Sequence, residues 1–192
     1  MTEAGRTEDI VQSTLSEAWD LFKNDLALWI VAGLILVVLS AVSLGILSGP
    51  MTVGFVQIVE RRRRNEPASA GDIFDGFSHF GASLIAFLLI GVGVFIGSLL
   101  LVLPGLLFGL AMAFSFHAIA IDDEDAMGGM SRSFNSIKEN PVLAAVFLVI
   151  SLVLSGIGGA VVFGTLVTLP FTLVLMTLAY HHLSEPSETI QG

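Results

Sequence analysis

The sequence predicts an all-α fold: a polytopic transmembrane helical bundle of three repeated units, each an interfacial amphipathic helix followed by a transmembrane hairpin, with about six crossings. Three observations predict it. Of the 192 residues 54% are hydrophobic and 13% charged, with a mean hydropathy of +0.88, whereas soluble domains carry about 25% charged residues. The charge is also segregated. All Lys, Arg, Asp and Glu fall within Glu3–Asp25, Glu60–Asp75, Asp122–Glu139 and Glu185–Glu188. The third observation is a repeated spacing of aromatic residues and prolines, set out below.

The longest uncharged run shows the unit most clearly. Leu84 to Ile121 contains no charged residue, is broken once at Leu103-Pro104-Gly105, and is followed at once by Asp122-Asp123-Glu124-Asp125. A helix needs roughly 20 apolar residues to cross the hydrocarbon core, so this run supplies two passes joined by a tight turn.

Residues 1–6 and 185–192 read as disordered ends of a single membrane domain, with repeats at about 7–66, 67–124 and 125–184. In the first unit Thr7 can cap a helix whose apolar residues recur at Val11, Leu15, Ala18, Phe22 and Leu26. Those intervals give one apolar stripe, the pattern of a helix lying in the interface plane. Leu26 to about Leu47 then crosses, Gly49-Pro50 turns, and the return runs to Glu60 and the arginines. The second unit opens on Ser69-Ala-Gly-Asp72, which reads as a capping box. Ile73, Phe74, Phe77 and Phe80 follow as an apolar stripe, Ser83 to about Val102 crosses, and Pro104 starts a return to Ile121. In the third, Met127, Met130, Phe134 and Ile137 lie at helical spacing. Asn140-Pro141 is an N-cap with proline at the first helical position, Val142 to about Val162 crosses, and the return from Pro170 ends near His181-His182.

These units align on Ala18-Trp19-x-x-Phe22, Ile73-Phe74-x-x-Phe77 and Ser133-Phe134-x-x-Ile137. The leading aromatic precedes the hairpin proline by 31, 30 and 36 residues, and successive aromatics lie 55 and 60 apart. A repeated period of this kind is architectural evidence.

An even number of crossings per repeat puts all four charged blocks on one side, with all eight Lys and Arg residues. The positive-inside rule makes that side cytoplasmic, giving an inner-membrane protein with both termini inside. The acidic, polar start lacks the pattern of a cleavable signal. The first return is short: about ten residues from Pro50 to Glu60 rise only some 15 Å. It spans if its turn begins near Ser43–Gly45 and the arginines snorkel; otherwise it is re-entrant and four full crossings remain.

Small residues one turn apart, at Gly45 and Gly49, Gly93 and Gly97, and Gly105 and Gly109, point to helix packing. In lipid, close backbone approach replaces the hydrophobic drive between helices. The net charge of −9 excludes a nucleic-acid footprint. The absence of cysteine excludes thiolate chemistry and a disulfide framework.

Arg61, Arg62, Arg63 and Arg64 form the most specific local signal. They serve either as a topology determinant or as a contact for anionic lipid headgroups, at about 1 kcal/mol per basic residue, or for an acidic partner. Asp122–Asp125 reads as a solvated turn, lacking the glycine-paced loop of a calcium site. Ser78-His79 lacks the nucleophile-elbow spacing, and adjacent helical residues do not face each other. His117 reads as a satisfied polar residue near the interface. His181 is placed to pair with Glu185 and, with His182, sits at a helix C-terminus that favours cations. No Asp, Glu, Lys or Arg lies deep in a crossing, which lowers an ion-coupled pump.

The aromatic-x-x-aromatic lead-in, the Leu103-Pro104-Gly105 turn and the terminal Leu178-Ala179-Tyr180-His181-His182 resemble a loose group of bacterial and archaeal six-helix membrane proteins without assigned function. That group includes the membrane domain fused to some glycerophosphodiester phosphodiesterases. The resemblance implies a repeated-hairpin membrane domain and carries over no catalytic residue. The expectation is a non-enzymatic protein with no cofactor or metal, contacting lipid headgroups, a protein partner or further copies of itself. The alternative is a small pore or carrier for a lipid-like or apolar solute.

Overall fold

The computed structural model describes residues 3–100, 102–160 and 164–184. It is an all-α bundle. Among the described residues four helical stretches are long and apolar enough to cross a membrane, Ala70–Leu100, Pro104–Ile121, Pro141–Gly158 and Thr165–Ser184, and the bent pair Gly5–Asn24 with Leu26–Val42 makes a fifth if it counts as one span. These are the helices of a membrane protein.

The first unit consists of α1 (Glu3–Asn24), α2 (Leu26–Val42) and α3 (Ser48–Arg63). Helix α1 begins four residues before Thr7, because nothing between Glu3 and Thr7 breaks a helix except Gly5, which a helix tolerates. Its axis meets that of α2 at 92°. The bend falls at Asp25, where the backbone leaves the helical region (φ −138°, ψ 43°). Trp29 steadies it: the indole N–H donates to the Leu21 carbonyl at 3.0 Å, one of the orphan acceptors at a helix end.

The turn that follows lies at Ser43–Leu47, not at Gly49-Pro50. Leu44 and Gly45 take left-handed conformations (φ 53° and 88°), and the Leu47 N–H donates to the Ser43 hydroxyl at 3.0 Å. Pro50 sits in the first turn of α3, where its missing N–H is not needed. Helix α3 is therefore 16 residues long, about 24 Å, and ends in Glu60 and arginines. Its apolar part falls short of a core about 30 Å thick. It is instead the inner helix of the bundle: Met51, Val53, Phe55, Val56, Ile58 and Val59 are all buried. A helix that is apolar all round belongs in a core.

The second unit has a 3₁₀ segment (Ala70–His79), then α4 (Phe80–Leu100), α5 (Val102–Ala111) and α6 (Ser115–Ile121). Asp72 closes the expected cap, accepting from the Ser69 N–H at 2.9 Å and its hydroxyl at 2.8 Å. A 3₁₀ helix eclipses residues three apart. Phe74, Phe77 and Phe80 accordingly stack with ring planes 12° apart, while Ile73 and Gly76 face inward and are buried. The return pass is broken between α5 and α6. Ser133 repairs the break: its hydroxyl donates to the Ala111 carbonyl at 2.8 Å and accepts the Phe114 N–H at 3.1 Å. Backbone groups freed in a membrane helix require such a partner.

The third unit comprises α7 (Ala126–Glu139), α8 (Pro141–Ala160) and α9 (Thr165–Ser184). Asp125 caps α7 by accepting from the Gly128 N–H at 2.7 Å. Pro141 opens α8, the position where proline is pre-organised. Helix α9, like α3, lies inside, with Val174 through Tyr180 buried.

Candidate functional site

The first three charged blocks meet at one end of the bundle, where ion pairs tie the helices together. Arg61 reaches Asp72 at 3.0 Å and Asp75 at 2.7 Å, joining α3 to the 3₁₀ segment. Arg62 pairs with Asp25 at the α1–α2 bend. Arg63 and Arg64 both face Glu60 at 3.4 Å. Asp122 accepts from the Tyr180 hydroxyl of α9 and from Arg132 Nε of α7 at 3.1 Å. The four arginines, expected as a topology determinant or a contact for headgroups or an acidic partner, thus stand among Asp25, Glu60, Asp72 and Asp75. The Arg61 guanidinium is held above its ordinary range, chiefly by its hydrogen bond to Asp75. Arg64 stays the most accessible of the four, with 61% of its side chain exposed.

Glu60 and His181 form the innermost pair. Glu60 belongs to the charged end of α3, outside the four long apolar helices, yet its side chain is buried. His181 Nε2 lies 2.6 Å from Glu60 Oε1; Glu185, its expected partner, lies outside the described residues. Burial acts to raise the Glu60 carboxyl, but the hydrogen bond and charge of His181, then Arg63 and Arg64, hold it below the usual carboxylate range. His117 lies on α6. It is buried, with its ring against Phe114 and Tyr180 at centroid distances of 5.8 and 6.2 Å. Neither ring nitrogen has a hydrogen-bond partner among the described residues. The expectation of a satisfied polar histidine is therefore corrected: aromatic rings fill the space where partners would stand.

Ser78 and His79 do meet, contrary to the argument from helical spacing. Ser78 Oγ lies 2.8 Å from His79 Nδ1, and His79 Nε2 lies 2.7 Å from Asp123 Oδ1. The segment is 3₁₀, and Nδ1, the ring nitrogen nearer the backbone, is within reach of the preceding side chain. The Ser78 hydroxyl is committed to the Asp75 carbonyl at 2.6 Å, and Asp123 is an exposed turn residue at positive φ. What the contact does is tie the 3₁₀ segment to the α6–α7 turn.

Beside these pairs opens a cavity of about 650 Å³, lined among others by Gln57, Arg64, Glu66, Phe74, Ser78 and Ile121. Phe74 also borders an apolar groove along Leu34, Ile35, Val38 and Leu39 of α2.

The packing glycines fall at close approaches of two kinds. A Cβ on Gly49 would stand 2.7 Å from the Ser83 carbonyl oxygen. One on Gly93 would meet the Phe108 ring at 2.3 Å, one on Gly97 the Gly105 backbone at 2.7 Å, and one on Gly105 the Ser98 hydroxyl at 2.2 Å. Gly45 serves its turn, and Gly109 has only Val94 at 3.3 Å. The closest backbone approaches escaped the sequence reading. A Cβ on Gly54 would lie 1.8 Å from the Ile73 oxygen, and one on Gly76 2.0 Å from the Pro50 oxygen. Gly54 and Gly76 belong to different units and match no small-residue spacing within one helix. Ser133 was equally hidden, although a serine beside the aligned Phe134 could have drawn attention.

A family model described as Domain of unknown function (DUF7847) matches residues 10–190, and the chain belongs to that family. No curated protein and no solved structure matches. The comparisons supply no link to glycerophosphodiester phosphodiesterases.

Proposed function

We propose that this member of the DUF7847 family is a non-enzymatic protein of the cell membrane, with both termini cytoplasmic, that meets lipid headgroups through its three amphipathic elements. One observation carries the reading. Trp19, Phe74 and Phe134, which share a place in the three repeats, are 56%, 48% and 51% exposed. Large aromatics left half in contact with the surroundings at the charged end of membrane helices match the interfacial aromatic belt. The right-angled α1–α2 bend supports the same placement, since it turns the amphipathic α1 flat when α2 stands upright. On this reading the repeats lay one amphipathic element each on the headgroup layer. Arg61 and Arg62 brace the fold, and headgroup contact falls chiefly to Arg64. Ser78, its proton committed elsewhere, supports the non-enzymatic reading.

The two tryptophans make the test clean, because Trp29 is fully buried. In a Trp29→Phe variant reconstituted into vesicles, lipids labelled with a quencher near the headgroup should quench Trp19 more than lipids labelled at mid-chain. Stronger quenching from mid-chain, or none from either, would overturn the placement.

A second reading, carriage of a lipid-like or apolar solute, is favoured by the break between α5 and α6, because discontinuous helices form sites in transporters. Vesicles should then show protein-dependent lipid or dye exchange that Gly105→Leu abolishes. Equal exchange in wild type and variant counts against it.

A further inference from the structure

We propose that the α2–α3 hairpin is re-entrant: it enters from the charged end, turns at residues 43–47 inside the bilayer, and offers Val42, Leu44 and Ile46 to lipid acyl chains. This rests on the reading of the chain as a membrane protein, and it assigns one hairpin its depth and its partner. Length sets the first limit. The uncharged part of α3, residues 48–59, rises only about 18 Å, against a hydrocarbon core about 30 Å thick. Arginines that snorkelled to the headgroups would lengthen this leg. They are held instead: Arg61 by Asp72 and Asp75, Arg62 by Asp25, and Arg63 and Arg64 face Glu60.

The neighbouring helix measures the depth. Helix α4 leaves the charged end just after the His79–Asp123 contact. Gly49, in the first turn of α3, meets α4 at only its fourth residue, Ser83, where a Cβ would stand 2.7 Å from the carbonyl oxygen. Gly45, within the α2–α3 turn, lies against Phe87, whose ring stands 3.3 Å from the place of a Cβ. Thirteen residues of α4 follow Phe87, about 20 Å of further rise. With α4 as a crossing, the tip of the first hairpin stops well short of the far surface.

The chemistry of the turn matches that depth. Water can satisfy a free N–H at a surface, whereas hydrocarbon cannot. Every backbone N–H from residue 43 to residue 48 donates to a carbonyl or hydroxyl of residues 39–45. The two turn hydroxyls also donate inward, Ser43 to the Ser40 carbonyl at 3.2 Å and Ser48 to that of Gly45 at 2.6 Å. Residue choice points the same way. Among the described residues Leu44, Asn65 and Asp123 are the non-glycine positions with left-handed backbone. Asn and Asp are the usual occupants of that region, and here both stand in charged turns. The first hairpin places leucine there, 91% exposed, between Val42 at 77% and Ile46 at 51%. A tip in water has no use for three bare aliphatic side chains; acyl chains cover them at no cost.

The chain has no cysteine, so a single nitroxide can be set on the tip. Leu44→Cys, and Val42→Cys at the helical end of α2 as a second position, are spin-labelled in the full chain and reconstituted into phosphatidylcholine vesicles. Electron paramagnetic resonance then compares access of oxygen, which enters hydrocarbon, with access of a water-soluble nickel chelate present on both sides. At both positions the oxygen-to-nickel ratio should exceed that of the exposed Glu66→Cys about tenfold. Nickel access equal to that of Glu66→Cys would put the tip in water and overturn the proposal. Low access to both reagents would show a tip covered by protein and overturn the lipid contact. Leu44→Asn suits the backbone but not hydrocarbon, so its thermal midpoint in vesicles should fall by several degrees; a midpoint at or above wild type would also count against the tip's depth. If the tip proves wet while Trp19 is still quenched at headgroup depth, only the re-entrant hairpin fails; if Trp19 is not quenched there, the broader reading fails with it.

Discussion

Replacing Gly54 by alanine tests the packing of α3 on the 3₁₀ segment, and two opposing effects decide the outcome. Alanine in a helix interior gains about 0.8–1.0 kcal/mol over glycine in propensity. Against that, the new Cβ would stand 1.8 Å from the Ile73 carbonyl oxygen and 2.6 Å from its carbon. The backbones have to separate by about 1.2 Å before the distance reaches the 3.0 Å below which real Cβ contacts essentially never occur. No rotamer can absorb this, because the opposing atoms are main chain. Gly76 locks the other side, its own Cβ direction blocked by the Pro50 oxygen and the Gly54 nitrogen. Overpacking costs typically 1–3 kcal/mol, and a contact of backbone on backbone belongs at the upper end, so the net loss is about 2 kcal/mol. For a chain of this size about 2–4 °C accompanies each kcal/mol, which puts the midpoint about 4–8 °C below wild type. Gly91 and Gly156 are the controls: a Cβ there meets nothing within 4 Å. Gly91→Ala and Gly156→Ala should keep the propensity gain and melt up to about 4 °C higher. Circular dichroism in one detergent, with monodispersity checked by gel filtration, measures all three. A Gly54→Ala midpoint at or above wild type would refute the backbone contact, whatever the controls do.

Ser133→Ala should lose about 2–3 kcal/mol in the same assay, since it strands the Ala111 carbonyl and the Phe114 N–H at about 1–3 kcal/mol per buried group; an unchanged midpoint would mean the α5–α6 break is satisfied in another way. His117→Phe should leave stability unchanged or raise it by about 1 kcal/mol, because it removes unpartnered polar atoms from among aromatic rings; a large loss would show that the imidazole has a partner. The lowered Glu60 carboxyl sets an acid limit. A group depressed in the folded state stabilises above its unfolded value, near 4.5, and that stability is lost as pH falls through the lower folded value. The Glu60 contribution should therefore be whole above about pH 4.5, decline as pH falls below that, and be gone only once pH has passed the lower folded value. Glu60→Gln should cost about 3 kcal/mol at pH 7, as for a broken buried pair, and flatten the acid limb; parallel acid limbs for variant and wild type would refute the assignment.

What the sequence made legible was local. Charge segregation and hydropathy need no partner, and they located the long apolar passes, the Ser69–Asp72 cap and the Pro141 helix start. Where the reading slipped, the deciding contact came from elsewhere in the chain. Nothing near Arg61–Arg64 reveals that Asp25, 37 residues away, would hold Arg62, or that His181, 121 residues away, would hold Glu60. The first turn moved to Ser43–Leu47 because leucine and glycine there accept left-handed backbone, whereas Gly49-Pro50 is equally at home in the first turn of a helix. The 3₁₀ character of Ala70–His79 was hidden because an apolar stripe with period near three suits either helix type. Its docking onto α3 through Gly54 and Gly76 decides between them.

The innermost polar groups follow a simple arithmetic. Glu60, His117 and His181 lie 10, 13 and 11 residues after Pro50, Pro104 and Pro170. If the three units are repeats, the return passes carry a polar side chain to nearly the same level, and the packing of α3, α6 and α9 brings the three towards one another. A carboxylate and an imidazole pair at 2.6 Å, and that contact is complete with two members. The third, His117, has no acceptor or donor among the described residues, and the Phe114 and Tyr180 rings enclose it instead. The way the three helices meet thus accounts for both the Glu60–His181 contact and the orphaned His117 ring. It also explains why neither could be read from one unit alone: the pairing is a property of how the units meet.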